Sequence, residues 1–179
     1  MVMKWVATLL LLVSCTAQAY VLNGKVDRVS DGDTFLMITS EGVPHKVRML
    51  YIDSPERGRP FYKRAKQMLV ELIEKKTVKA DCTWLDSFNR HLCVVFLDGE
   101  SINRTMIARG GAWLHHKYYD AAKDPAKLMP IQEQARQEKA GLWGITEYKD
   151  GEPWKNFNRR IYATEKNKIK QGLFDRPKN

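Results

Sequence analysis

Histidine and cysteine are scarce in this chain, at four and three of 179 residues. Two cysteines outside the first nineteen residues make a poor zinc site. No His-Glu-x-x-His segment is present, and the adjacent pair His115-His116 has no carboxylate-spaced partner, so a metalloprotease centre is not expected. The twelve-residue ligand pattern of a helix-loop-helix calcium site is missing too. There are no internal repeats or low-complexity tracts, which excludes solenoids and arrays. No apolar run approaches the roughly 20 residues a bilayer span needs. The longest, Val6 to Val13, is interrupted by Thr8.

That short run, preceded by Lys4 and followed by Ala17-Gln18-Ala19, has the layout of an export leader cleaved before Tyr20. Leu12-Val13-Ser14-Cys15 also fits a lipoprotein box, in which Cys15 would carry the lipid. Cleavage after Ala19 leaves two cysteines, Cys82 and Cys93, and an even count in an exported chain favours a disulfide. The formal charge is +9, and Lys4 is the leader's one charged side chain, so the mature chain keeps +8. A basic surface suits polyanions, nucleic acid before anionic lipid. Residues 144–179 hold nine Lys or Arg, five Asp or Glu and few aliphatics, and read as a basic tail. The organisation expected is therefore a leader over 1–19, one domain over 20–143 and a tail over 144–179.

Strand patterns dominate residues 20 to 97. Residues 21–29, 34–38, 45–52, 77–82 and 91–97 read as five strands, separated by polar or glycine turns. In the third strand Arg48 shares a face with Leu50 and Ile52, where an arginine needs a partner. Ala65, Met68, Leu69, Leu72 and Ile73 recur at helical spacing within a helix over about 61–74. Shorter helices are expected around Ile102–Ile107 and over about 125–139. Five strands around one inserted helix, about three helices in all, predict an α+β, mainly β fold: a five-stranded barrel of the OB type. Placed symmetrically about the turn at Ser87-Phe88, Cys82 and Cys93 should face each other across one hairpin, with Cα atoms about 4.5–5.5 Å apart.

Three charged clusters carry the chemistry: Asp31-Gly32-Asp33-Thr34, Arg48 through Asp53-Ser54-Pro55-Glu56, and Asp86-Ser87-Phe88-Asn89-Arg90. Asp33, just past a turn, and Asp53, at a strand end, can converge on one hard cation. Calcium accepts six to eight oxygens, with backbone carbonyls and water among them, so two Asp and an oxygen near Ser54 suffice. Glu56, three residues beyond Asp53, can take a proton from water. Arg48 and Arg90 offer planar guanidinium groups to a phosphate.

In this order the clusters resemble the staphylococcal-nuclease (thermonuclease) family. The likeness continues through Asp98-Gly99, Ile102-Asn103, Ala108-Arg109-Gly110-Gly111-Ala112 and Gly141-Leu142-Trp143, spanning about residues 21 to 143. The resemblance implies a calcium-dependent, sugar-nonspecific endonuclease that leaves 3′-phosphates on DNA and RNA. It places calcium on Asp33, Asp53 and the Ser54 carbonyl, the scissile phosphate on Arg48 and Arg90, and the general base at Glu56. It aligns Lys117 and Tyr119 with tyrosines that pack near the bound nucleotide, and Tyr119 is taken as the substrate-binding residue. Phe88 and Asn89 depart from the tyrosine and glycine usual before the arginine.

The alternative is an OB barrel that binds nucleic acid without cutting it, but Asp33, Asp53 and Glu56 would then only repel phosphates. A third reading is a surface lipoprotein, held through Cys15, whose barrel contacts other proteins. The mature chain is expected to be a monomer, secreted or periplasmic. Trp113 is read as a core residue, and Asn103-Arg104-Thr105 as a helix start rather than a glycosylation site.

Overall fold

The computed structural model describes residues 19–115, 119 and 127–145. The leader with Cys15, His116, Lys117, Tyr118 and nearly all of the basic tail lie outside the described residues. Strands β1 (Tyr20–Val29), β2 (Thr34–Thr39) and β3 (Pro44–Met49) form an antiparallel meander. The chain then runs through the two-residue β4 (Ile52–Asp53) into α1 (Tyr62–Ile73). It returns as the long hairpin β5 (Thr77–Leu85) and β6 (His91–Leu97). β5 lies antiparallel to β1, and β6 runs parallel to β3, which closes a five-stranded mixed barrel. The two-residue β7 (Glu100–Ser101) leads into α2 (Ile102–Ala108). The two-residue β8 (Trp113–Leu114), α3 (Leu128–Gln137) and a 3-10 turn at Gly141–Gly144 follow. The OB-type, mainly β barrel with three helices expected from the pattern is the fold observed.

Alternation decides which side chains fill the barrel. Val26, Phe35, Met37, Val47, Met49, Val78, Ala80 and Val95 point inward and are almost wholly buried. Leu69 and Ile73 of α1 and Met106 and Ile107 of α2 plug its ends, also without exposed surface. Each of these side chains other than Ala80 contributes about 1.5–3 kcal/mol by leaving water. Among the described residues no helix is long and apolar enough to cross a membrane.

Two sequence readings are corrected. The third strand does not continue from residue 45 to 52. It stops at Met49, because Tyr51 takes a left-handed conformation (φ 68°) and the chain folds over before β4. Alternation cannot signal such a kink, since Leu50 and Ile52 remain buried on both sides of it. The fourth strand extends three residues beyond Cys82, to Leu85, across a register shift that displaces Leu85 to pair with His91.

The cysteine expectation holds. Cys82 and Cys93 are register partners on β5 and β6 and form a disulfide, with Cα atoms 4.0 Å apart, closer than the expected spacing. Two buried polar residues fasten the helices to the barrel. Asn103 accepts from the Val95 N–H (2.9 Å) and donates to the Leu50 carbonyl (2.8 Å). Gln132 of α3 accepts from the Leu114 N–H at 2.7 Å. Asn103 is therefore no cap; Ser101 holds that place. At the closing end, two backbones cross at Gly110 and Gly141, and Leu142 N–H donates to the Gly110 carbonyl at 2.9 Å. A Cβ on Gly110 would lie 2.1 Å from the Ala140 oxygen, and one on Gly141 would lie 2.4 Å from the Gly110 oxygen.

Candidate active site

The register of the barrel seam brings the separated clusters together. Arg48 pairs with Thr34 of β2 on one side and with Leu92 of β6 on the other. Asp33 thus lies immediately before one partner strand, and Arg90 immediately before the other. β4 sets Asp53 opposite Trp113 of β8, and Glu56 follows one turn later. Arg48, Asp53, Glu56 and Arg90 line one cleft of about 460 Å³.

Arg48 is the hub of the buried side. Nη1 donates to the carbonyls of Met49 (2.9 Å) and Ile52 (2.8 Å), and so wraps the kink that ends β3. Nη2 donates to Asp53 at 2.7 Å, and Nε lies 3.3 Å from Asp33. Its side chain keeps only 10% of its surface exposed. The partner that the sequence demanded is a pair of carboxylates and two backbone oxygens together. Asp33 is shaped further by Thr34, whose hydroxyl donates to it at 2.9 Å, and by the Ser54 N–H, which donates at 2.7 Å. Gly32 lets this turn approach, since a Cβ there would lie 2.8 Å from the Ser54 Cβ.

Crowding of acids governs the electrostatics. Burial first, then the charge of Asp33, pushes Asp53 up to about 7, against the pull of Arg48. Burial and Asp33 push Asp31 to about 7 as well. Glu56 is raised by burial and Asp33, while Arg48 and Arg90 oppose the rise. Asp31 accepts from the Asp33 N–H at 3.1 Å and belongs to the cluster, although sequence reasoning gave it no role. Its place in the Asp-Gly-Asp turn was the available signal.

Arg90 is held differently. Asp86 accepts from its Nε and stands 2.7 Å from its Nη2. The other Asp86 oxygen accepts from the N–H groups of Phe88 (2.9 Å) and Arg90 (3.0 Å). Burial pushes the Asp86 carboxyl up, but the Arg90 side chain and these N–H groups outweigh it, and the group stays below the usual range. Asn89 takes φ 57°, the conformation glycine adopts freely and asparagine tolerates best, so the unusual Phe88-Asn89 pair still forms the turn.

A hard cation suits this donor set. Asp33 and Asp53 both face Arg48, and additional positive charge would relieve the crowding that raises the acids. Among the described residues no three His, Cys, Asp or Glu side chains converge into a cage by themselves. A cation here would draw on backbone oxygen and water as well, as calcium does. Ser54 is buried beside Asp33, where its backbone is within reach of such a site. Tyr119 packs on the core, its ring 6.4 Å edge-on from that of Tyr51, which itself lines the cleft. His115, given no role from sequence, lines the cleft directly; its N–H donates to the Tyr51 carbonyl at 2.8 Å. Trp113 is buried, as its sequence context suggested.

Comparison with known proteins identifies the family. Residues 46–144 match the family described as Staphylococcal nuclease homologue. The match includes Arg48, Asp53, Glu56 and Arg90, and begins after Asp33. An uncharacterized endonuclease of Haemophilus influenzae is 34% identical over 119 residues, covering 66% of this chain and 65% of that protein. An uncharacterized endonuclease of Escherichia coli O157:H7 is 32% identical over 141 residues, covering 78% of this chain and 89% of that protein. A micrococcal nuclease of Shigella flexneri is 32% identical over 158 residues, covering 83% of this chain and 87% of that protein. With the match extending over more than half of its length, the chain belongs to the staphylococcal nuclease homologue family.

Proposed function

We propose that this protein is an exported, calcium-dependent endonuclease that hydrolyses the phosphodiesters of DNA and RNA without regard to the sugar. The observation that carries the reading is the single cleft shared by Arg48, Asp53, Glu56 and Arg90, with the buried Asp33 3.3 Å from Arg48. Asp33, Asp53 and the Ser54 carbonyl would hold calcium, which would offset the charge of a bound phosphate. Glu56 takes the proton from the attacking water, from its place in the same cleft as Arg48, Asp53 and Arg90. Arg48 and Arg90 donate to the phosphate oxygens as negative charge builds on them. The bond from phosphorus to the 5′ oxygen breaks, that oxygen takes a proton from solvent, and the phosphate stays on the 3′ carbon. Tyr119 would act on the nucleotide through Tyr51. The catalytic unit is the domain over 20–143, working as a monomer. The Cys82–Cys93 disulfide supports export, since such bonds persist in oxidising compartments. Both secretion and release into the periplasm fit, as does anchoring through Cys15.

Incubating the mature protein with supercoiled plasmid and with RNA tests the reading. Cutting of both in calcium, and of neither in chelator, is expected, with ends that a phosphatase can trim at the 3′ side. Magnesium should substitute poorly, because it demands a near-ideal octahedron and holds its water. Vigorous cutting in magnesium with calcium removed would overturn the site assignment.

A further inference from the structure

Three polar rings meet where β1, β3 and β6 come together, and none of them lines the cleft. Strand alternation brings them there. Tyr20 shares a face with Gly24 and Val26, His45 with Val47 and Met49, and His91 with Cys93 and Val95. The register sets His91 beside Val47, and Tyr20 beside Cys82, itself the partner of Cys93. All three side chains are half-buried over the core.

The rings meet by their nitrogens. His45 Nδ1 and His91 Nε2 stand 3.1 Å apart, and His91 Nδ1 lies 2.6 Å from the Tyr20 hydroxyl. The two imidazoles are edge to face, with centres 4.9 Å apart and planes at 71°. Two nitrogens bound to one zinc ion at about 2.0–2.1 Å stand about 2.8–3.4 Å apart, for bond angles between square and tetrahedral. The observed pair falls within that range, so a small turn of the rings lets one ion bind both. Among the described residues no carboxylate is hydrogen-bonded to either ring. Burial, then His45, pushes the His91 pKa down, which keeps that ring neutral and its lone pair available near neutral pH.

We propose that His45 Nδ1 and His91 Nε2 bind a divalent cation of the zinc or copper class, with the Tyr20 hydroxyl holding the other nitrogen of His91. The inference does not depend on how the cleft is read. Without metal the rings share a hydrogen bond, and the Tyr20 hydroxyl donates to His91 Nδ1. With metal the His91 proton sits on Nδ1 and is donated to the Tyr20 oxygen, which fixes the ring as such partners do for metal-bound histidines. Imidazole suits zinc, copper and nickel, whereas calcium and magnesium take oxygen, so this site and the acidic cleft select different ions. The chain supplies two ligands, and water or an outside donor takes the remaining positions. The bound ion ties β3 to β6 at the seam of the barrel and so stabilises the folded chain.

The test titrates zinc chloride into the untagged mature protein, with calcium in excess, by calorimetry and by proton–nitrogen correlation spectra of the histidine rings. One equivalent should bind. The nitrogen shifts should move at His45 Nδ1 and His91 Nε2, and His91 Nδ1 should become the protonated nitrogen. Tyr20→Phe should weaken binding about 10-fold, and His45→Gln should weaken it further. At a zinc concentration about 100 times the Kd, the wild-type melting temperature should rise by roughly 5–10 °C, and that of His45→Gln should not. Affinity should fall on acidification below about pH 6.5, as the imidazoles take up protons. Melting curves without zinc check that each variant is folded, and the wild-type spectra identify the ligating nitrogens without any variant. Absence of zinc binding up to roughly 1 mM, affinity undiminished in His45→Gln, or shifts confined to His115 and His116 overturns the site.

Discussion

Arg48 and Arg90 line the same cleft from two different settings. Arg48 sits in the seam where β2, β3 and β6 meet, with 10% of its side chain exposed, bound to two carboxylates and two carbonyls. Arg90 stands on the β5–β6 hairpin, with 23% exposed, and the acid that pairs with it, Asp86, is four residues away in sequence. The first arginine is part of what holds the barrel corner closed. The second is a presented group on a local scaffold. The same residue type, facing the same cleft, should therefore fail in different ways when removed.

Arg48→Ala should produce the largest effect. It leaves Asp33 and Asp53 facing each other without their cation and frees the carbonyls of the kink. Breaking a buried pair of this kind costs about 3–5 kcal/mol, so urea unfolding should show a loss of that size along with the loss of cutting. Arg90→Ala should move stability by less than about 1 kcal/mol while lowering turnover roughly 10²–10³-fold, with substrate affinity little changed. Equal stability of the two variants breaks the comparison. Reducing the disulfide comes next. Its loop should contribute about 2–3 kcal/mol in the chain-entropy view, and reduction should lower thermal stability more than activity. Free thiols at both positions in the purified, non-reduced protein would remove that expectation.

Asp86→Ala sharpens the contrast from the hairpin side. Arg90 loses its grip but not its charge, so turnover should fall about ten- to a hundredfold while unfolding changes little. A fall no smaller than that of Arg90→Ala would mean that position is everything. The smallest effect belongs to His91, next to Arg90, whose ring accepts or donates to Tyr20 at 2.6 Å and His45 at 3.1 Å. Burial, then His45, pushes its pKa down. As pH falls through the unfolded value of about 6.5, the unfolded chain takes up a proton that the folded one refuses. The contribution of His91 to stability should therefore weaken on acidification from about pH 6.5 down to the folded value, while the raised acids Asp31 and Asp53 act in the opposite sense, so it is read from the difference between wild-type and His91→Gln melting curves across that range.

Sequence pattern carried most of the architecture because it is written in local periods. The five strands, the three helices and the facing cysteines all follow from alternation, helical spacing or symmetry about a turn. The charged clusters stood out by their order along the chain, which resembles the staphylococcal-nuclease family, since taken singly each would pass for a solvated turn. What stayed hidden depends on contacts between distant segments. Nothing near Arg48 says that it spans Asp33 and Asp53, or that Tyr51 reverses the backbone at that point. Asn103 lies at a helix start as expected, but its side chain reads as a cap until Leu50 and Val95 are brought to it. His115 acquires its place only when the barrel closes.

The crossing of Gly110 and Gly141 has a genetic consequence. At most positions a bulky replacement collides with a side chain, and a second mutation that shrinks the neighbour can restore the fit. Here the Cβ of either replacement meets backbone carbonyls, those of Ala140 and of Gly110. No side-chain substitution can shrink a carbonyl. Both positions also hold left-handed backbone, φ 63° at Gly110 and 54° at Gly141, which adds strain for any other residue. A lesion at either glycine should thus yield true revertants in a suppressor screen, with compensating changes at neighbouring side chains absent.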